Sequence, residues 1–235
     1  MILDIDLGNS RLKWLLRNHQ GEVQEEGAGE SARWADVLPR GPSLQRIRVA
    51  SVRGDLNAEL ARHCRERYGV ACEFARVREG LLGLSCAYRE PDRLGVDRWL
   101  ALLACVGEGL RRALVVDAGT ALTLDLLDEG RHRGGFILPG LAAMARALGE
   151  NTWGVAAAGR EEGRLEAGRD TATCVANGAL LAAVGAIERA WRQYAAPPVV
   201  VTGGDGPRLV AFFPSSVDAR LRPDLVLAGL ALALP

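Results

Sequence analysis

Asp117-Ala118-Gly119-Thr120-Ala121 decides the fold, because it repeats in the second half of the chain what Asp6-Leu7-Gly8-Asn9-Ser10 does in the first. Each begins where a short apolar run ends, 1–6 in one case and 113–117 in the other, and each supplies a carboxylate, a glycine and a hydroxyl. Asparagine, glycine and serine after an apolar run read as a tight turn between strands. The runs 12–16 and 122–127 then return as second strands. One acidic hairpin is ordinary; two at matching points of two halves indicate a duplicated architecture.

The remaining chain fits that plan. Gly21 turns into a third strand over 23–27, Ser31 offers a helix N-cap before 32–38, and Pro39 closes that helix. A strand over 47–51, an amphipathic helix over 56–68 stopped by Gly69, a strand over 72–77 and a helix over 96–106 complete the first half. Between them, 78–93 forms a long loop, and long loops in compact domains are usually functional. The second half repeats three strands, with 133–138 as the third, and then places helices over 141–148 and 170–194. A strand over 199–202, a helix near 207–212, a short strand near 217–220 and a last helix follow. The expected fold class is α/β: two lobes, 1–112 and 113–235, each a mixed sheet of three antiparallel then parallel strands flanked by helices. Ligands of such sheets bind beyond the carboxyl ends of the strands, where both acidic turns fall. The turns are expected to face each other across a cleft.

Composition narrows the function. Of 235 residues 49% are apolar and 25% charged, an ordinary globular balance, and the formal net charge is zero. Nucleic acid and anionic membranes select basic surfaces, so neither is an expected partner. The longest apolar stretch, 225–234, is about half the roughly 20 residues of a membrane span. Asp4 and Asp6 interrupt any signal-like N-terminal segment. The five cysteines (Cys64, Cys72, Cys86, Cys105, Cys174) are odd in number and without a close pair in sequence, which fits reduced thiols of a cytoplasmic protein. His19, His63 and His132 show no zinc-ligand spacing. Lys13 is the single lysine among 29 basic residues.

The first turn can do phosphate chemistry. Gly8 lets backbone approach a ligand, neighbouring N–H groups and Ser10 can donate to phosphate oxygens, and Lys13 adds a compact positive charge. Asp6 can hold magnesium, which takes one or two carboxylates with waters and phosphates. A third signal is Thr202-Gly203-Gly204-Asp205-Gly206, a strand running into a glycine-rich turn that opens a helix, suited to an adenine ring or α-phosphate. Three such turns in this order are the pattern of the actin-like (ribonuclease H-like) superfold shared with the heat-shock ATPases and the sugar and acetate kinases.

Within that superfold the chain resembles the type III pantothenate kinases. The segment Tyr88-Arg89-Glu90-Pro91-Asp92-Arg93-Leu94-Gly95-Val96-Asp97-Arg98-Trp99 is similar to the family's Leu-Gly-x-Asp-Arg substrate motif with its upstream tyrosine. Gly134-Gly135-Phe136-Ile137-Leu138-Pro139-Gly140 and the two acidic turns agree with it, in the family's order. Ser10 stands where many relatives have threonine, keeping the hydroxyl. The resemblance implies ATP-dependent phosphorylation of pantothenate, the opening step of coenzyme A synthesis. Asp97 is implied as the base for the substrate hydroxyl, and a loop-borne carboxylate suits that task. Arg98 can pair with the substrate carboxylate; Tyr88, Gly95, Val96 and Thr171 are implied to line the same site. Asp6, Leu7, Gly8, Asn9, Ser10, Arg11, Leu12 and Lys13, with Thr120, Gly203 and Gly204, are implied on the nucleotide. Asp6 is implied for Mg2+, and Asp117 for a monovalent cation, K+ or NH4+. A homodimer is implied as well.

Two other functions share these features: a nucleotide-binding regulatory or accessory protein of the same fold, and a kinase for another small anionic alcohol. Asp97 in an intact loop is what a pure binding module would not require. The glycine- and alanine-rich segment 153–168 matches no pattern with a readable role.

Overall fold

In the computed structural model, residues 1–41, 43–151 and 163–235 are described. They form two compact units, Met1–Leu110 with Asp224–Pro235, and Arg111–Pro223. The last helix therefore belongs with the first half of the chain. The expected division at 112/113 placed it with the second, a placement that pattern and turn chemistry alone cannot correct.

Unit 1 is built on a five-stranded sheet. β1 (Ile2–Leu7), β2 (Arg11–Arg17) and β3 (Val23–Glu30) pair antiparallel in sequence, and β4 (Arg46–Ser51) and β5 (Cys72–Phe74) add in parallel on the far side of β1. Alternation along β1 sends Leu3, Ile5 and Leu7 to one face, where they pack with Leu12, Trp14, Leu16, Ile47 and Val49. That face is closed by Trp34 of α1 (Trp34–Val37) and by Leu60 and Cys64 of α2 (Asn57–Tyr68). Asp4, of opposite parity, is fully buried and held by Arg48 at 2.6 Å and Arg17 at 2.8 Å. α3 (Val96–Gly107) packs along α7 (Leu225–Ala233), and α7 also lies on β1 and β4. A Cβ on Gly229 would fall 2.0 Å from the Leu100 carbonyl oxygen, so the two helix backbones touch there.

Unit 2 repeats the order. β6 (Arg112–Ala118), β7 (Ala121–Asp128) and β8 (Arg131–Pro139) form the antiparallel part, and β9 (Val199–Thr202) and β10 (Ala219–Leu221) continue in parallel from β6. Strand orders 3-2-1-4-5 and 8-7-6-9-10 are one topology used twice. Leu114, Val116 and Ala118 pack against Leu180, Ala183, Val184 and Ile187 of α5 (Thr171–Gln193) and Leu209 of α6 (Gly206–Val210). α5 is long and apolar enough to cross a membrane. Its buried stripe lies in the unit 2 core, and 28% of its apolar window is buried. α4 (Leu141–Asn151) packs beside it.

Two local expectations change. Ser31 does not cap a helix over 32–38; it opens a single 3-10 turn, Ser31–Arg33, and its hydroxyl donates to the Gly8 carbonyl at 2.8 Å instead. β5 is three residues long, because after Ala75 donates to Val49 the chain leaves the sheet. Of the segment 153–168, residues 153–162 lie outside the described residues. The part after them docks on α5, where Asn177 accepts from the Arg164 N–H at 2.7 Å and donates to the Glu166 carbonyl at 2.8 Å.

Candidate active site

The first acidic turn is tight and braced. The Gly8 N–H donates to the Arg11 carbonyl at 3.0 Å, closing the hairpin, and Ser31 ties its near side through Oγ to Gly8 and through its N–H to the Ser10 carbonyl. Arg53 donates to the Asn9 carbonyl at 3.3 Å and is itself paired with Asp55 at 2.7 Å. Asn9, Ser10 and Arg11 are exposed on this rim, while Leu7 and Leu12 are core residues that fix its base. Asp6 and Lys13 are directly opposed across β1 and β2, so their opposite charges stand on one face of the sheet. An anionic ligand above this turn would meet backbone N–H groups, a hydroxyl and a cation together.

The loop before α3 presents the second group of residues in the same unit. Buried Leu84, Leu94 and Val96 anchor it, and Asp97 and Arg98 follow in the first turn of α3. Asp97 Oδ1 accepts the Arg98 N–H at 2.8 Å, the reception a helix N-terminus gives an anion. A Cβ at Gly95 would lie 2.5 Å from that oxygen, so glycine is what leaves the carboxylate its place. Arg98 is 6% exposed; its guanidinium donates to the Tyr88 hydroxyl at 2.8 Å and lies 5.7 Å from the ring centroid. A carboxylate, a guanidinium and a phenol are thereby gathered on one loop and one helix start.

In unit 2 the Asp117 carboxylate lies between two glycine backbones. A Cβ on Gly119 would be 3.6 Å from Asp117 Oδ1, and one on Gly203 only 2.5 Å away. Gly203 also has φ +88°, a backbone that side-chain-bearing residues rarely adopt. The turns are laced together where the Asp205 N–H donates to the Ala118 carbonyl at 2.9 Å. Thr120 accepts the Gly140 N–H at 3.0 Å through its carbonyl, and Gly204 faces open space. Thr171 is exposed at the start of α5, capped by Asp170, on the wall of a groove of about 800 Å³ between α4 and α5.

Each unit therefore brings its own expected residues together. Asp6, Gly8, Ser10 and Lys13 share the first turn, Tyr88, Gly95, Val96, Asp97 and Arg98 share the loop, and Asp117, Thr120, Gly203 and Gly204 share the second. Thr171 stands apart from that last group, on the α4–α5 groove. Four residues that brace these turns were not among the expected site residues. Asp205 and Gly140 stand inside quoted motifs, and a Cβ at Gly140 would strike the Gly119 carbonyl at 2.1 Å. Burial pushes the Asp205 carboxyl above its usual range, against the pull of Arg208. Arg53 and Ser31 act through chain segments distant in sequence, and no local signal marks them.

Magnesium fits what the first turn offers. Among the described residues no three His, Cys, Asp or Glu side chains cluster as a protein-only metal cage. A single carboxylate such as Asp6, completed by water and phosphate oxygens, is how this ion is commonly held.

Comparison with known proteins gives the family. A model of the type III pantothenate kinase family matches residues 2–193. A protein of Chromohalobacter salexigens named type III pantothenate kinase is 37% identical over 249 residues, covering 100% of this chain and 88% of its own. One of Acinetobacter baylyi with the same name is 34% identical over 232 residues, covering 96% and 94%. Among solved structures, a candidate Baf family transcriptional activator from Campylobacter jejuni superposes with TM-score 0.66 at 23% identity, covering 97% of this chain and 95% of that one. A candidate 2-dehydro-3-deoxygalactonokinase from Sinorhizobium meliloti gives 0.62 at 15%, covering 99% and 98%. The last two speak for the fold alone, the two-lobed actin-like kinase architecture. With the family model spanning most of its length and relatives aligned end to end, this chain belongs to the type III pantothenate kinase family.

Proposed function

We propose that the protein transfers the γ-phosphoryl group of ATP to the primary hydroxyl of pantothenate, giving 4'-phosphopantothenate, and that Asp97 removes the hydroxyl proton. The observation that carries this reading is the seat of Asp97, a carboxylate received by a helix N-terminus and given room by Gly95, beside the Arg98–Tyr88 pair. Arg98 pairs with the acceptor's carboxylate, and Tyr88, Gly95 and Val96 shape the acceptor's seat. Thr171 supplies a further hydroxyl to the acceptor.

The nucleotide side uses the other turns. Gly8 and its neighbours Leu7, Asn9, Ser10, Arg11 and Leu12 hold phosphate, with Lys13 countering the charge that spreads over the moving phosphoryl group. Asp6 would hold the divalent ion, which when bound neutralises charge on the phosphate oxygens. Thr120, Gly203 and Gly204 approach the nucleoside and its phosphates, and Asp117 holds a monovalent cation, potassium or ammonium. A homodimer in the cytoplasm completes the reading. Phe136 and Ile137 on the edge strand β8, with Leu148 and Leu181 on α4 and α5, are large exposed apolar residues that a second subunit could cover.

The test is direct. Purified protein is incubated with ATP, magnesium, potassium and pantothenate, and 4'-phosphopantothenate is sought by mass spectrometry. Product is expected with the wild type and is expected to fall by roughly 10²–10⁴-fold with Asp97→Asn, the range general-base removal gives. ATP binding persists in that variant. Full activity in it removes Asp97 from the reaction.

A further inference from the structure

The loop that precedes α3 folds back on itself before it reaches Tyr88. Gly80 and Gly83, both with positive φ, reverse its tip, and the Gly80 N–H donates to the Leu84 carbonyl at 2.9 Å. The turn Leu81–Gly83 packs against α3, the helix that carries Asp97 and Arg98, and Leu84 after it is fully buried. One rung further from the tip, the Cys86 N–H donates to Glu79 Oε1 at 3.0 Å, a contact that the carboxylate's charge strengthens. The tip is thus anchored on α3 by apolar burial and clasped at its base by one exposed carboxylate.

Cys86 carries the clasp forward. Its Sγ accepts the Tyr88 N–H at 3.4 Å, and the Tyr88 hydroxyl accepts from Arg98 Nη1 at 2.8 Å, with the guanidinium carbon 5.7 Å from the ring centroid. Three hydrogen bonds therefore run Glu79–Cys86–Tyr88–Arg98, from the surface to a guanidinium that is 6% exposed. The tyrosine ring is rigid, so any shift of the backbone at 88 is passed on to its hydroxyl and to the cation it holds. Asp97 is seated separately, on the Arg98 N–H and beside Gly95.

Given the pairing of Arg98 with the acceptor's carboxylate, on which this reading rests, we propose that Glu79 and Cys86 are positioning residues of the acceptor seat. They touch neither acceptor nor nucleotide; they set the backbone at Tyr88, and Tyr88 sets the Arg98 guanidinium for an anionic acceptor. Without the clasp, residues 86–88 relax, the ring tilts, and the guanidinium must be ordered each time the acceptor binds, a cost taken out of affinity. The loss falls on acceptor binding rather than on the chemical step, because the Asp97 carboxylate keeps its own seat.

The experiment is steady-state kinetics of the full-length protein with ATP, magnesium, potassium and pantothenate, beside thermal melts. Glu79 is exposed, so Glu79→Ala leaves the core untouched. It should raise KM for pantothenate roughly five- to tenfold, the worth of one lost hydrogen bond, with kcat and KM for ATP nearly unchanged. Cys86→Ala should raise the same KM, and Glu79→Gln, which keeps an acceptor oxygen in place, should restore it. In a Tyr88→Phe background, which lacks the hydroxyl, Glu79→Ala should add nothing, because both changes act through one contact. An unchanged KM for pantothenate in Glu79→Ala or Cys86→Ala overturns the proposal. So does a full further rise on top of Tyr88→Phe, or a joint loss of kcat, both affinities and Tm, which a mere loop brace would give. Wild-type protein that makes no product overturns the phosphoryl-transfer reading and this proposal with it, whereas wild-type product with a flat KM in the variants overturns the positioning alone.

Discussion

At Gly95 one missing methyl group decides where a carboxylate can be. A Cβ at Gly95 would stand 2.5 Å from Asp97 Oδ1, so the carboxylate must turn away and give up the Arg98 N–H that it accepts at 2.8 Å. Gly95→Ala is therefore expected to move the Asp97 carboxylate while the buried neighbours Leu94 and Val96 hold the loop in place. Misplacement of a catalytic group by about 1 Å costs on the order of 10²-fold, so kcat should fall by about that factor with KM and Tm nearly unchanged. Steady-state kinetics beside a thermal melt separate the cases: a normal kcat would mean that the carboxylate's position is immaterial. Asp205 offers a second test. Burial raises its carboxyl in the folded state, so ionising it opposes folding, and the stability the protonated form confers is lost as pH rises through the folded value. Asp205→Asn should then raise Tm at neutral pH, and the gain should shrink as pH falls toward the ordinary carboxylate range near about 4. A gain independent of pH would assign the effect to something other than the charge. Asp97, Arg98 and Tyr88 were readable because one short segment contains them all. Asp205 was not readable as a buried acid, because its burial is made by strands and turns that the sequence does not juxtapose.

The strands and their hairpins were legible from turn chemistry and apolar runs, since both are local. Where a polar side chain had two possible employers, local reading chose wrongly. Ser31 has the chemistry of a helix cap, yet its hydroxyl is taken by Gly8, 23 residues away, and the helix it was expected to start shrinks to Trp34–Val37. Asp170, to which the sequence reading gave no capping part, is a cap. It accepts the Thr173 N–H at 2.9 Å, and Thr173 Oγ1 in turn accepts the Asp170 N–H at 3.4 Å, a reciprocal cap at the start of α5. Those hydrogen bonds hold the Asp170 carboxyl below its usual range. The stability it adds is present above the unfolded-state value and is lost as pH falls through the depressed folded one. Asp170→Ala should lower Tm at neutral pH, and the two melting curves should converge in acid below about pH 4. Thermal melts across that range check it, and a constant gap would show that the carboxylate is not the cap.

Within each unit the strand order follows from consecutive hairpins and parallel additions, which is why the duplicated topology could be read from two acidic turns. Nothing local says where the last helix goes. α7 is apolar nearly all round, so its sequence calls for burial without naming the surface. The structure gives it to unit 1, where Leu225, Val226, Leu227 and Leu230 are buried and the Gly229 backbone rests on Leu100, one turn beyond Asp97. Four such side chains contribute about 6–12 kcal/mol at roughly 1.5–3 kcal/mol each, which rivals the whole stability of a typical domain, about 5–15 kcal/mol. The tail also takes hydrogen bonds from Arg48, whose Nη1 donates to the Leu234 carbonyl at 2.8 Å. A chain ending at Pro223 would leave that buried guanidinium short of an acceptor and the inner side of α3 bare. Unit 1 is thus a unit that the first 110 residues cannot complete alone. Truncation after Pro223 should abolish the fixed environment of Trp99, fully buried on α3, seen as loss of near-UV circular dichroism. Gly229→Ala, which only pushes the two helices apart, should cost about 1–3 kcal/mol in chemical denaturation. A truncated chain that keeps the native near-UV signal and melts at the wild-type temperature would show that unit 1 closes its core without α7.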